Sequence, residues 1–348
     1  MAVDALAGSE APPFWYRQPG LQARLLWPAS VAYGTIARRR MDHAEPPAVD
    51  VPVLCVGNLT VGGTGKTPTA IALAEAAVRH RYRPGIVARG YGGGHIRPHR
   101  VDPQTDTARS VGDESLLLAR AAPTVIGANR ARSAPALIDD GCDFIIMDDG
   151  FQSRSLLADY ALITLDARRG IGNGRVIPAG PLRAPLRDQM RLTDAVLRIG
   201  TGEAGDQVVR AAARAGKPVM QAHLQPANVR AISGRQVLAY CGIGDPGKFY
   251  ETLHHYGCML AATRSFGDHY MFTEADARAL VGKAEAEGLE LVTTEKDFVR
   301  LSHRQGPLAT LRERTHVLPV ALVFETRADA ERVIAATEQR YQRRRTGA

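Results

Sequence analysis

The residues best suited to chemistry are Gly62-Gly63-Thr64-Gly65-Lys66-Thr67, set between a short apolar run and an Ala-rich stretch. A glycine-rich turn joining a strand to a helix lets successive backbone N–H groups surround a phosphate at the helix N-terminus. In such a turn Lys66 reaches the β and γ phosphates of a nucleotide, and the Thr67 hydroxyl ligates Mg²⁺. The usual pattern carries a glycine where this chain has Thr60, and the doubled Gly62-Gly63 supplies the missing freedom. Thr60, Gly62, Gly63, Thr64, Gly65, Lys66 and Thr67 are therefore the expected nucleotide-binding residues.

Such a loop needs an acidic group on a neighbouring strand to help hold the metal. Phe144-Ile145-Ile146-Met147-Asp148-Asp149 has that form, four apolar residues closing on two carboxylates. A strand merely ending in an Asp-Gly turn would look similar, but the loop upstream favours Thr67, Asp148 and Asp149 as metal ligands. Which aspartate lies nearer the metal stays open. Thr294-Glu295-Lys296-Asp297 echoes a guanine reader but lacks its Asn and displaces its Lys, which favours ATP. Gly242-Ile243-Gly244-Asp245-Pro246-Gly247 matches a dinucleotide fingerprint, with Asp268 about 20 residues on. Pro246 and the poor placement of Asp268 argue against that use. Asp113, before a predicted helix, and His269, in Gly267-Asp268-His269-Tyr270, are unremarkable taken singly: an N-cap and a lone histidine.

The elements that must position these groups alternate along the chain. Apolar runs at 51–56, 84–88, 124–126, 144–147, 160–165 and 195–199 predict strands, and 68–80, 114–121 and 133–139 predict helices. That alternation predicts an α/β fold, a mostly parallel sheet with helices on both faces. A Gly/Pro/Arg-rich stretch at 168–188 has no period, and a loop so long is usually functional or disordered. A second α/β pattern starts after 228, with strands at 236–240, 259–263 and 289–293 and helices at 246–256 and 274–288. The expected division is an arm at 1–45, a phosphate-loop core at 46–228 and a smaller α/β domain at 229–348, its basic tail at 340–345 frayed.

A length of 348 residues allows two domains, and 45% hydrophobic with 23% charged residues excludes a disordered chain. The four cysteines are far apart, with no CxxC pair, so neither a zinc ribbon nor a disulfide scaffold is expected. A net charge of +8 points to acidic partners: nucleotides, nucleic acid or anionic lipid. No signal peptide is visible. The apolar stretch at 25–37 is too short to span a bilayer, which takes about 20 residues. Leu25, Leu26, Ala29, Tyr33 and Ile36 fall at helical spacing between Arg17 and Arg24 before and Arg38, Arg39 and Arg40 after. Such a helix suits either a membrane interface or the protein's own core.

Taken in order, VGNLTVGGTGKTP (56–68), ARGYGG (88–93), VGDE (111–114), ANR (128–130), DDGFQ (148–152), PAGPLR (178–183), CGIGDPGKFY (241–250), FGDHY (266–270) and TTEKD (293–297) closely resemble one family. The chain is similar, over nearly its whole length, to tetraacyldisaccharide 4′-kinase, the lipid A 4′-kinase of Gram-negative bacteria. The loop with Thr60 is that family's own variant, and the GxGxxG match becomes a structural turn. The resemblance implies a membrane-associated, ATP- and Mg²⁺-dependent kinase of the 4′-hydroxyl of a tetraacylated glucosamine disaccharide 1-phosphate. It implies Asp113 and His269 as the catalytic pair. Arg89, Tyr91 and Arg130 are the candidates for contacting sugar and 1-phosphate, since guanidinium forks suit phosphate geometry. Arg183 could serve substrate or nucleotide. A substrate with four acyl chains stays in the bilayer, which favours an interfacial arm at the cytoplasmic face of the inner membrane. No nucleic acid and no obligate protein partner are expected. The competing readings are a soluble phosphate-loop kinase or ligase, which leaves the arm unexplained, and a nucleotide-switched module binding nucleic acid, for which no stacking motif is present.

Overall fold

Strands that are apolar at every position must be covered on both faces, and the central strands of this chain are buried along their whole length. The computed structural model describes residues 11–95, 97–227 and 229–347. Its strands are β1 (Val53–Asn58), β2 (Pro84–Ala88), β3 (His99–Arg100), β4 (Thr124–Ile126), β5 (Phe144–Asp148), β6 (Tyr160–Asp166), β7 (Ala195–Ile199), β8 (Val219–Pro226), β9 (Gln236–Cys241), β10 (Met259–Ser265), β11 (Glu290–Thr294), β12 (Thr315–Leu318) and β13 (Val320–Phe324). A nine-stranded sheet runs β13-β8-β7-β6-β1-β5-β2-β4-β3, and a four-stranded sheet runs β10-β9-β11-β12. The small sheet is all parallel; in the large one only the edge pairs β13/β8 and β3/β4 are antiparallel. This is the expected α/β architecture.

Parallel neighbours bring their C-terminal ends to one edge, and there the chemistry collects. In the β1/β5 register Val56 faces Asp148, so the glycine loop after β1 and the carboxylates after β5 emerge side by side. Helix Lys66–Arg79 covers one face with Leu73, Ala74 and Ala77. On the other face Leu137 and Cys142 join Met41 from the N-terminal arm.

The end of the chain departs from expectation. Instead of completing the second domain, β13 pairs with β8 of the large sheet, and helix Arg327–Thr346 packs on helix Lys66–Arg79 through Val333 and Ile334. Its basic last turns are not frayed. Tyr341 is buried and donates to the Asp50 carbonyl at 2.6 Å, and Arg344 pairs with Asp159 at 2.7 Å. The apolar stripe is too sparse to announce a core helix, and the arginines hide it further. The smaller domain thus spans 229–318 rather than 229–348.

The aperiodic stretch at 168–188 is ordered by specific hydrogen bonds. The Asn173 amide donates to the Ala179 carbonyl at 2.8 Å, its oxygen accepts from the Arg175 N–H at 3.1 Å, and the Leu182 N–H donates to the Arg175 carbonyl at 3.0 Å. This loop seats the arm. Trp15 Nε1 donates to the Pro178 carbonyl at 3.0 Å, and Ser30 donates to the Val176 carbonyl at 2.6 Å. Helix Trp27–Asp42 buries Ser30, Gly34 and Met41 on that side. Leu21, Leu25, Trp27, Val31, Tyr33 and Ile36 remain exposed, Leu21 and Leu25 at 72%.

Candidate active site

The glycine loop is held from outside. Asn58, the last residue of β1, donates its amide to the Thr60 carbonyl at 2.7 Å. From the aperiodic loop, Arg183 Nε donates to the same carbonyl at 3.1 Å, and the Val61 N–H donates to the Pro181 carbonyl at 2.9 Å. Thr64 shares a 2.7 Å hydroxyl contact with Thr164 of β6. Gly65 caps the helix at φ +86, and a Cβ there would sit 2.8 Å from Ile199 Cδ1, so only glycine fits. Gly62 and Gly63 are exposed and Thr67 is buried behind them. The loop is open on the side where a phosphate would enter.

Lys66 Nζ lies 3.9 Å from Asp149 Oδ1, which Arg183 grips with both guanidinium nitrogens at 3.0–3.2 Å. Asp149 sits at φ 52, a conformation costly for a residue with a Cβ, and its backbone is pinned at both ends. Its N–H donates to the Val56 carbonyl at 3.0 Å, and its carbonyl accepts from Arg130 Nη2 at 2.6 Å. Burial pushes its carboxyl up, but Lys66, Arg183 and Arg130 outweigh that and hold it below the usual range. Asp148 behaves oppositely: burial and the Glu114 charge push it up to about 7. Its Oδ1 is buried without a hydrogen-bond partner among the described residues. An orphaned buried carboxylate oxygen is the kind of donor a hard cation takes.

Asp113 and His269 meet across the two sheets. Asp113 opens helix Asp113–Ala121, and His269, at φ 57 in the turn after β10, brings Nδ1 to 3.2 Å from Asp113 Oδ2. Arg300 Nε donates to the same oxygen at 3.1 Å. Its Nη1 meets Asp297 at 2.6 Å and the Gly242 carbonyl at 2.7 Å. Both Asp113 and Arg300 are buried. Burial would raise the Asp113 carboxyl, but His269, Arg300 and Lys296 outweigh it and hold it far below its usual range. His269 is held above its usual value, chiefly by that hydrogen bond. Lys296 pairs with Glu114 at 2.5 Å, so helix Glu295–Arg300 latches onto the helix that starts with Asp113.

The TTEKD stretch, read in the sequence as a failed guanine reader and as one motif of the resemblance, therefore brings Lys296 and Asp297 to this cluster, and Arg300 follows three residues on. Nothing marked Arg300 beforehand, because its two partners lie far off in sequence or were assigned elsewhere. The GxGxxG turn also joins the domains: Lys248 reaches Asp166 at 2.5 Å and Asp245 pairs with Arg169 at 2.8 Å. Tyr91 is exposed, with its ring centroid 6.1 Å from that of His269, and Arg89 is exposed beside it. Arg130 is buried, with Nη2 on the Asp149 carbonyl. Arg183, left undecided by the sequence, lies with the nucleotide loop.

The pattern of the family described as "Tetraacyldisaccharide-1-P 4'-kinase" (LpxK) matches residues 22–339. Curated proteins of that name from Chelativorans sp. (strain BNC1) and Brucella canis are each 51% identical over 339 residues, covering 97% of this chain and 99% of theirs. The fold is similar to that of LpxK from Aquifex aeolicus, described as an "apo" form in complex with ATP. That likeness has a TM-score of 0.71 and 24% identity, over 91% of this chain and 99% of the other.

Proposed function

The chain belongs to the tetraacyldisaccharide-1-P 4′-kinase family, and from that premise we infer that it transfers the γ-phosphate of ATP to the 4′-hydroxyl of a tetraacylated disaccharide 1-phosphate. The observation that carries the reading is the 3.2 Å contact between Asp113 and His269. A carboxylate and an imidazole joined at the seam between the two sheets support reading them as an acid–base pair. A soluble small-molecule kinase would need no exposed apolar arm.

In this reading Thr60, Gly62, Gly63, Thr64, Gly65, Lys66 and Thr67 cradle the triphosphate, with Arg183 and Lys66 opposing its charge. Thr67, Asp148 and Asp149 would hold Mg²⁺, which when bound neutralises charge on the β and γ phosphates. The orphaned Asp148 Oδ1 supports that assignment. Asp113 accepts a hydrogen bond from the 4′-hydroxyl and takes its proton late, while His269 fixes the carboxylate and assists. A strongly acidic Asp113 is a weak base. Transfer through a loose transition state asks it to aim the alcohol more than to ionise it. Arg89 and Tyr91 line the approach for sugar and 1-phosphate.

The arm is the proposed membrane contact, at the cytoplasmic face of the inner membrane. Among the described residues no helix is long and apolar enough to cross a membrane. Leu21, Leu25, Trp27, Val31 and Ile36 instead present apolar surface flanked by arginines. Burying each is worth about 1.5–3 kcal/mol before positioning costs, enough for reversible attachment. The deciding experiment incubates protein in mild detergent with Mg²⁺, γ-labelled ATP and tetraacyldisaccharide 1-phosphate. Label should pass to the lipid with wild type and not with Lys66→Ala. ATP binding without transfer would leave the nucleotide site and discard the acceptor.

A further inference from the structure

Outside the kinase site, where the glycine-rich loop after β2 turns back into β3, His95, His99 and Asp106 each bring one ligand atom to within 4.8 Å of the others. The two imidazole rings stack, with centroids 4.0 Å and planes 6° apart. His99 Nε2 lies 2.8 Å from Asp106 Oδ2. That carboxylate is itself held, by the Asp102 N–H at 2.9 Å and by the Ser110 hydroxyl at 3.5 Å. Ser110 is fixed in turn by a reciprocal capping box with Thr107. Supporting hydrogen bonds of this kind orient ligands in metal sites.

We propose that His95, His99 and Asp106 bind a zinc-class divalent cation, which pins the outer end of the glycine-rich loop to the segment that leads into Asp113. Two imidazoles and one carboxylate are borderline donors, suited to Zn²⁺ and its transition-metal neighbours, whereas Mg²⁺ and Ca²⁺ take all-oxygen sets. Zn–N bonds of about 2.0–2.1 Å draw ligands closer than they now lie, so His95 has to swing inward. Water completes the shell.

The pinning follows from what the ligands are attached to. The Gly94 N–H donates to the Ser110 carbonyl at 3.1 Å, and a Cβ on Gly93 would come 2.5 Å from that same oxygen. The loop therefore already lies backbone to backbone on helix Ala108–Val111, which runs through Gly112 into Asp113. The other end of the loop carries Arg89 and Tyr91. A cation joining His95 to Asp106 would close this contact from the solvent side.

The test uses metal-stripped full-length protein in detergent, titrated with Zn²⁺ against a chromophoric chelator, with Co²⁺ absorption as a second readout. One equivalent should bind. Losing a direct ligand in His95→Ala or His99→Ala should weaken binding at least about tenfold, as loss of a mere supporting partner does in known sites. ATP binding by each variant confirms that it folds. One-equivalent binding that survives in the His95→Ala/His99→Ala double variant would overturn the site. Hydrogen exchange at residues 91–95 should slow on Zn²⁺ addition in wild type only. Binding at these ligands with unchanged exchange would overturn the pinning.

Discussion

The proposed nucleotide end and the proposed acceptor end of this molecule are built in different ways. At the nucleotide end the loop after β1, the carboxylates after β5 and the aperiodic loop bearing Arg183 all belong to one sheet, and the contacts among them close within one domain. At the acceptor end no single domain holds the site. Asp113 comes from the large sheet's side, while His269 and Arg300 come from the small one's. A preformed cradle can bind ATP whatever the second domain does. An acceptor pair split across a seam is complete only when the domains meet, which also keeps water from the bound triphosphate. The two ends should therefore respond differently to damage.

The largest effect is expected at the cradle. Lys66→Ala removes a cation from the transferred phosphate and should lower kcat about 10³-fold, equivalent to roughly 4 kcal/mol. It should weaken ATP binding as well, measured by equilibrium titration. Unchanged ATP affinity would mean that the cradle is not where the triphosphate sits.

Next comes the seam itself. Arg300 is buried between Asp113 and Asp297, so Arg300→Met leaves two carboxylates without their shared cation. Breaking a buried pair from one side costs about 3 kcal/mol or more. Chemical denaturation should show that loss as a lower midpoint, and Arg300→Lys should restore part of it. A variant as stable as wild type would mean that the triad does not hold the domains together.

His269→Ala should fall just below that. An acid–base partner contributes about 10²-fold or more to kcat, and the lowered rate should come with nearly unchanged ATP affinity. The contrast with Lys66→Ala is the point of the experiment: one end loses binding and rate together, the other rate alone. A large loss of ATP affinity in His269→Ala would merge the two ends and end the comparison.

The same division explains what could be read from the sequence. The glycine loop is a run of adjacent residues whose conformation depends on local backbone, so Gly62–Thr67 and the strand closing on Asp148 and Asp149 were legible, as was the parallel sheet that places them. Asp113 and His269 stand 156 positions apart. Singly they look like an N-cap and a stray histidine, and only the family resemblance paired them. Arg300 had no signal at all, since its role exists only once helix Glu295–Arg300 is docked. The burial of Arg130 had no signal either, since its bond to the Asp149 carbonyl joins residues brought together only by the folded sheet. The return of β13 and the last helix to the large sheet was hidden too, because edge pairing is a long-range event and that helix is mostly polar on its outer face.

The smallest effect is a pH dependence confined to the acceptor end. His269 is held above its ordinary value by its bond to Asp113, so its contribution to stability is complete below the unfolded value of about 6.5. That contribution is lost as pH rises through the higher folded value. Asp113 is held low, so its contribution is present above its unfolded value of about 4 and is lost only in acid. Both are therefore intact between those limits, and only the histidine's share disappears on the alkaline side. Asp148, pushed up to about 7 by burial, titrates through the same range, so wild-type stability alone would mix the two ends. The difference between wild type and His269→Gln cancels that background. Denaturation midpoints should show wild type ahead at pH 6 and the gap narrowing toward pH 9. A gap that stays constant across that range would mean the imidazole carries no proton in the folded pair, and the seam would then owe its closure to its other ion pairs, those of Arg300, Lys296, Lys248 and Asp245.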